Sequence, residues 1–235
     1  MIVDLKFDGK YVVIVGGGTE GYKKTLSFLE AGSKILVVSR TFSSGIKKLH
    51  QMKRVDLLKA DIKDGETFIN SLSPKPDLLI TITNDQNLSV QLAKHAKSAG
   101  CMVYAADNPP ISDFILPAIA KVGEVRIAIS TNGKSPAMAK ILRQRIEKMI
   151  TQEDLLQIKL QNYARAILKQ RILDQKIRKK ILYKILKDEH VKRLLKEKKF
   201  DEAQKMALEI LKSYCNNNKS HKGSSAATGQ NLQEM

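Results

Sequence analysis

Two rhythms of apolar and polar positions run along the chain, and one gives way to the other near residue 150. Tyr11-Val12-Val13-Ile14-Val15, Ile35-Leu36-Val37-Val38, Asp77-Leu78-Leu79-Ile80-Thr81-Ile82-Thr83 and Cys101-Met102-Val103-Tyr104-Ala105-Ala106 are short apolar runs, rich in β-branched residues and without strict alternation. Runs of that length and type predict strands buried on both faces, the habit of a parallel sheet. A shorter strand is predicted at 55–58. Helix-like stretches at 21–31, 46–52, 65–72 and 86–98 separate these runs. Strand, helix and strand within roughly thirty residues make a βαβ unit. Two more strands, 115–119 and 125–130, are joined through Val122-Gly123-Glu124. A helix then runs to about Ile150, with Ser135 as N-cap and Pro136 as its first residue. From 151 to 214 the period is helical throughout. Leu156, Leu160, Tyr163 and Ile167 form one stripe and Ile177, Ile181 and Ile185 a second. Ala203, Met206 or Ala207, Ile210 and Tyr214 form a third. Residues 215–235 are polar and are expected to be a disordered tail.

The first strand stops at three glycines, and Gly16, Gly18 and Gly21 fit the spacing G-x-G-x-x-G. In that motif one glycine makes the tight turn, one lets a pyrophosphate approach the backbone, and one lets helix and strand pack closely. The N–H groups that open the helix then face the phosphates, so Thr19 and Glu20 join the glycines as candidate cofactor residues. The fold class predicted is therefore α/β, with a Rossmann-type parallel sheet in residues 1–112. The small α+β region 113–150 and the helical region 151–214 follow it. Ser39 and Arg40 end the second strand, where many NAD sites carry Asp or Glu for the ribose 2′-hydroxyl. An arginine there meets a 2′-phosphate, stacks on adenine, or is simply solvated, so NAD and NADP both stay open. Thr83, Asn84 and Asp85 end a strand at the cofactor edge. Asp85 reads first as the cap of the helix that follows. Asp107 lies at the carboxyl end of the next strand, before Asn108-Pro109-Pro110, and serves either ligand chemistry or turn formation.

Composition narrows the class. The chain of 235 residues is 43% hydrophobic and 28% charged, as in soluble globular proteins, and has no apolar run long enough to span a membrane. The N-terminus lacks the basic and apolar regions of a signal peptide. Cys101 and Cys215 form no framework, which fits a reducing cytoplasm. His50, His95, His190 and His221 are scattered, so no metal-ligand set is expected. Tyr183 and Lys187 have the spacing of a reductase pair, but such spacing arises by chance in a lysine-rich helix far past the sheet. Net charge is +17. Residues 1–150 hold 22 basic and 14 acidic side chains and the remainder 19 and 10, so the excess is denser in the second part. A basic surface attracts polyanions. Aromatic content of 5% and the lack of an RNA-binding or zinc-finger motif disfavour nucleic acid.

Several segments together resemble precorrin-2 dehydrogenase, the dehydrogenase module of siroheme synthases. They are residues 12–21, 80–85 and 104–107, Ser112-Asp113-Phe114-Ile115-Leu116-Pro117-Ala118, and residues 127–137 followed by Leu142-Arg143. The match spans about residues 3–150, and the helices beyond match by position alone. The resemblance implies NAD-dependent oxidation of precorrin-2 to sirohydrochlorin. In some relatives it also implies insertion of Fe²⁺ to give siroheme. It places the family's aspartate on Asp107, as general base or as proton acceptor during metal insertion, and a serine near the substrate on Ser135. It further implies a homodimer that exchanges strands through residues 113–150. Lys134 and Arg143, with Arg145, then become candidate ligands for the polycarboxylate substrate. Two positions depart from the family: Ser39-Arg40, and Tyr104-Ala105-Ala106 in place of an Asn-containing strand. The competing reading is a sensor that binds NAD to regulate a partner, which needs neither Asp107 nor the helix at Ser135.

Overall fold

A computed structural model describes residues 2–223, with side chains through Tyr214. The chain divides into two compact units after Leu116.

In the first unit, β1 (Tyr11–Val15), β2 (Lys34–Ser39), β3 (Asp56–Lys59), β4 (Leu78–Thr81) and β5 (Met102–Ala105) form one sheet in the order β3-β2-β1-β4-β5. Every pairing is parallel. The helices α1 (Thr19–Glu30), α2 (Ser44–Gln51), α3 (Gly65–Ser71) and α4 (Gln86–Ser98) fill the connections. The non-alternating runs now have their explanation, because both faces are covered. Val13, Val15, Leu79 and Val103 pack on one side with Ile69, Leu92 and Ala96 of α3 and α4. Val12, Ile14, Ile35 and Ile80 pack on the other with Phe28 and Ile46 of α1 and α2. The connections reverse direction between β1 and β4, which opens a crevice at their carboxyl ends. β4 ends two residues short of the predicted Thr83, because the Thr83 hydroxyl accepts from Asp85 N at 3.1 Å and turns the chain toward α4.

The outer edge of β5 is covered by the chain itself. Asp113 donates from its backbone to the Val103 carbonyl at 2.9 Å, and its carboxylate accepts from Val103 N at 2.8 Å. The Ser112 hydroxyl serves Ala105 in the same double way, accepting from its N–H at 2.9 Å and donating to its carbonyl at 3.2 Å. Phe114 then stacks on Tyr104, with ring centroids 5.7 Å apart. This return is why the strand expected from Ile115 begins later, as β6.

In the second unit β6 (Ala118–Val122) and β7 (Val125–Ile129) form an antiparallel hairpin, turned at Gly123 with φ +57°. α5 (Pro136–Met149) follows, capped as predicted by the Ser135 hydroxyl, which accepts from Met138 N at 3.3 Å. Then come α6 (Gln152–Arg171), α7 (Gln175–Lys187), α8 (Glu189–Lys196) and α9 (Phe200–Gly223). The three apolar stripes converge here. Leu160, Ile181, Ile185, Ala203 and Ala207 are buried in one cluster with Val191 and Leu195 of α8. A capping box of Thr151 and Asp154 starts α6. Residues 215–223, expected as the start of a disordered tail, instead continue α9, and 224–235 lie outside the described residues.

Candidate functional site

The glycine turn is built by close backbone approach. Gly16 leaves β1 at φ +134°, and a Cβ there would collide with the Ile82 carbonyl just past β4. A Cβ on Gly21 would collide with the Gly16 carbonyl, so α1 packs against its own turn only through glycine. Gly18 differs, since a Cβ there would meet nothing within 4 Å. The middle glycine therefore faces open space, as a group that must admit a ligand should. Gly18 is also the N-cap of α1, and no side chain caps that helix. The first-turn N–H groups and the positive end of the dipole are left for an anion.

These groups line a cavity of about 1180 Å³ at the crevice. Gly16, Gly18, Thr19, Glu20 and Gly21 line it from the turn, Ser39 and Arg40 from the end of β2, and Thr83, Asn84 and Asp85 from the segment between β4 and α4. All ten residues marked in the sequence as candidate cofactor residues thus meet on one surface. Asp85 also caps α4, accepting from Leu88 N at 3.0 Å. Glu20 is exposed and paired with Lys23 at 2.6 Å, and that hydrogen bond holds its carboxyl below the usual range. The open space at Gly18, the uncapped helix and the cavity's size fit a bound dinucleotide.

Sequence reasoning missed part of this wall. Gly17 is as confined as Gly16 and Gly21, because a Cβ would meet the Thr41 carbonyl and lie 2.8 Å from Ser39 Cβ. Asp61 and Lys63 also line the cavity, and they come from beyond β3. The register Ser39↔Lys59, continued by Ala60 N donating to the Ser39 carbonyl at 3.2 Å, carries that chain alongside Arg40. Asp61 stands 3.9 Å from Arg40 Nε and 2.6 Å from Lys63 Nζ. The hydrogen bond from Lys63 lowers its pKa. The end of β2 carries no carboxylate, but one stands beside Arg40 from one strand over. Knowing that β3 neighbours β2 would have revealed it.

Asp107 follows β5 by two residues and is half-buried. It is not among the residues lining the cavity. Ala106 N donates to the Thr81 carbonyl at 3.0 Å, which continues the β4–β5 ladder to its doorstep. Its carboxylate accepts from Ser89 Oγ, at 3.0 Å to Oδ2 and 3.3 Å to Oδ1. Ser89 is fully buried in α4, next in sequence to Leu88, which lines the cavity. On the other face Lys24 Nζ lies 5.0 Å from the Tyr104 ring centroid. Burial lowers the Lys24 pKa and raises that of Tyr104.

Lys134, Ser135 and Arg143 belong to the second unit. Lys134 N donates to the Thr131 carbonyl at 2.9 Å in the turn that leads to Ser135. Arg143 is paired along α5 with Glu147 at 2.7 Å.

A parallel sheet in this order, with a glycine turn at the switch point, defines a dinucleotide-binding Rossmann-type domain. Comparison with known proteins agrees. A family model described as "Putative NAD(P)-binding" matches residues 3–118, and one described as "Sirohaem biosynthesis protein central" matches residues 123–149. The "Precorrin-2 dehydrogenase" of Methanosarcina barkeri is 31% identical over 211 residues, covering 89% of this chain and 92% of the relative. The "Putative precorrin-2 dehydrogenase" of Methanocaldococcus jannaschii is 33% identical over 195 residues, covering 82% and 93%. Among solved structures, "SirC, precorrin-2 dehydrogenase" superposes with a TM-score of 0.70 over 87% of this chain and 99% of the other, at 22% identity, which shows the shared fold. The chain belongs to the precorrin-2 dehydrogenase family.

Proposed function

We propose that this protein oxidises precorrin-2 to sirohydrochlorin in siroheme biosynthesis, with NAD as the hydride acceptor. One observation carries the reading beyond family membership. A fixed carboxylate, Asp107, stands at the carboxyl end of β5 and is bonded to α4, whose N-terminal turn lines a dinucleotide-sized cavity. A sensor would need the cavity and not the carboxylate.

When bound, the nicotinamide supplies a two-electron hydride acceptor. The work left to the protein is binding, orientation and proton transfer. Gly16, Gly18, Thr19, Glu20 and Gly21 would hold the pyrophosphate through backbone N–H groups. Ser39 and Arg40 would meet the adenosine ribose, and Thr83, Asn84 and Asp85 would bound the opposite wall. The substrate loses two hydrogens, one as hydride and one as a proton, and Asp107 takes the proton as general base. Lys134, Ser135 and Arg143 are assigned to the substrate's carboxylates. Arg143 exchanges its bond to Glu147 for a ligand carboxylate in that role.

The same reading makes the molecule a homodimer built on residues 113–150. Exposed Ile119, Met138 and Ile141, with Ala139 the residue α5 buries, support an apolar face awaiting a partner. Iron insertion is the second activity the family resemblance implies. In it Asp107 would accept the pyrrolic protons that Fe²⁺ displaces.

The test is anaerobic turnover of precorrin-2 by purified protein with NAD or NADP, followed by the absorbance of sirohydrochlorin. Wild type is expected to turn over with NAD, and Asp107→Asn to lose 10²-fold or more, on the order of a general base's contribution. Tight dinucleotide binding without turnover would favour the sensor. Fe²⁺ added to the same cuvette tests insertion.

A further inference from the structure

Ser89 is a fully buried hydroxyl at the end of the first turn of α4. Its own backbone N–H is used in the helix, donating to the Asp85 carbonyl at 3.0 Å. Its side chain reaches across to the Asp107 carboxylate instead of back to the helix backbone, the habit of Thr25, Ser27 and Ser98 in this same unit. Resting on the reading that Asp107 is the base, we propose that Ser89 is the positioning residue that fixes its carboxylate for proton transfer.

The geometry separates two tasks. The backbone of the Asp107 loop is held without Ser89. On one side Ala106 N is tied to the Thr81 carbonyl. On the other, Ile111 N donates to the Asn108 carbonyl at 3.2 Å, and Ser112 and Asp113 lock onto β5. What that scaffold leaves free is rotation of the Asp107 side chain. A base must present a chosen oxygen to the reacting proton, and a misplacement of about 1 Å can cost on the order of a hundredfold. The Ser89 hydroxyl carries one hydrogen, and the shorter contact gives it to Oδ2. A carboxylate has about four lone-pair sites, so this single proton leaves it acceptor capacity for the substrate. Ser89 also sits on the helix whose preceding residues, Gln86, Asn87 and Leu88, line the cavity. One rigid element therefore sets both the cavity wall and the aim of the carboxylate.

The experiment measures kcat, KM for precorrin-2, the dissociation constant for NAD and the melting temperature in the full-length protein. Ser89→Ala is expected to lower kcat about tenfold, with the NAD dissociation constant and melting temperature close to wild type. Ser89→Thr, which keeps the hydroxyl, is expected to recover most of kcat. Ser89→Cys, near in size but a poor donor, should behave like Ser89→Ala and stands in for it if the alanine variant does not fold. In an Asp107→Ala background, Ser89→Ala should cost nothing further, because a group acting through Asp107 has nothing left to position. Kcat within twofold of wild type in both Ser89→Ala and Ser89→Cys would overturn the inference while leaving Asp107 as base. An equal loss with and without Asp107 would overturn it too. Full turnover by Asp107→Ala would remove the underlying reading and this inference with it.

Discussion

Cys101 immediately precedes β5 with its sulfur 3.2 Å from the Met102 carbonyl, and burial pushes the thiol up to about 11. The thiolate is the reactive form, so this cysteine is inert in the folded protein despite the reactivity of the residue type. In a Cys215→Ser background, a thiol-specific reagent at pH 8 should label Cys101 only on unfolding. Rapid stoichiometric labelling of native protein would contradict the burial of this edge. At this scale the sequence is most legible where one residue type has one job. The glycine spacing announced the turn, and Asp85 and Ser135 announced themselves as caps. It is least legible where the job depends on a partner from elsewhere in the chain. Arg40 could be read three ways because Asp61, twenty-odd residues on, gives no local sign of standing beside it. Ser89 was invisible for the same reason, since only the packing of α4 on β5 brings it to Asp107.

Asp77 links elements rather than residues. It precedes β4, yet its carboxylate accepts from Tyr11 N at 2.8 Å and from Lys10 Nζ at 2.7 Å, and so ties the start of β4 to the start of β1. The Lys10 hydrogen bond, then that from Tyr11, lowers its pKa. Because the folded value lies below the unfolded one, the stabilisation is present above the ordinary carboxylate range and is lost as pH falls through the folded value. Wild-type melting temperature should therefore fall more steeply on acidification below about pH 4 than that of Asp77→Asn, with the two curves converging at the acid end. Parallel curves would exclude Asp77 as a clamp. Element type was legible wherever burial is two-sided, as in β1, β2 and β4, because continuous apolar runs have few other uses. Boundaries were less so. The run at Phe114 and Ile115 has strand-like composition, but tertiary contact claims it for the cover of β5, and β6 waits until Ala118. α8 belonged to no predicted stripe, being short and bounded at Asp188, which caps it by accepting from Val191 N at 3.0 Å.

On the scale of the whole molecule the strongest signal is charge. A net +17 and a polycarboxylate substrate predict a long-range attraction that salt screens. The KM for precorrin-2 should rise several-fold between about 0.05 and 0.5 M salt while kcat changes little. A KM indifferent to salt would confine the positive charge to other work. The division into two units was only partly visible in composition, because the hairpin, α5 and the later helices read as separate stretches yet fall in one unit. The cover on β5 has a last consequence at this scale. A parallel sheet has two rims, and each is a template on which foreign strands can grow. Here Ser112 and Asp113 occupy the hydrogen-bonding groups of one rim from within the same chain. The other rim is β3, four residues long, with Asp56 and Lys59 at its ends. Solubility during folding therefore depends on how promptly the residues from 106 to 113, just past β5, turn back. Changes at Ser112 or Asp113 should first show themselves as turbidity, ahead of any loss of turnover in the molecules that stay in solution.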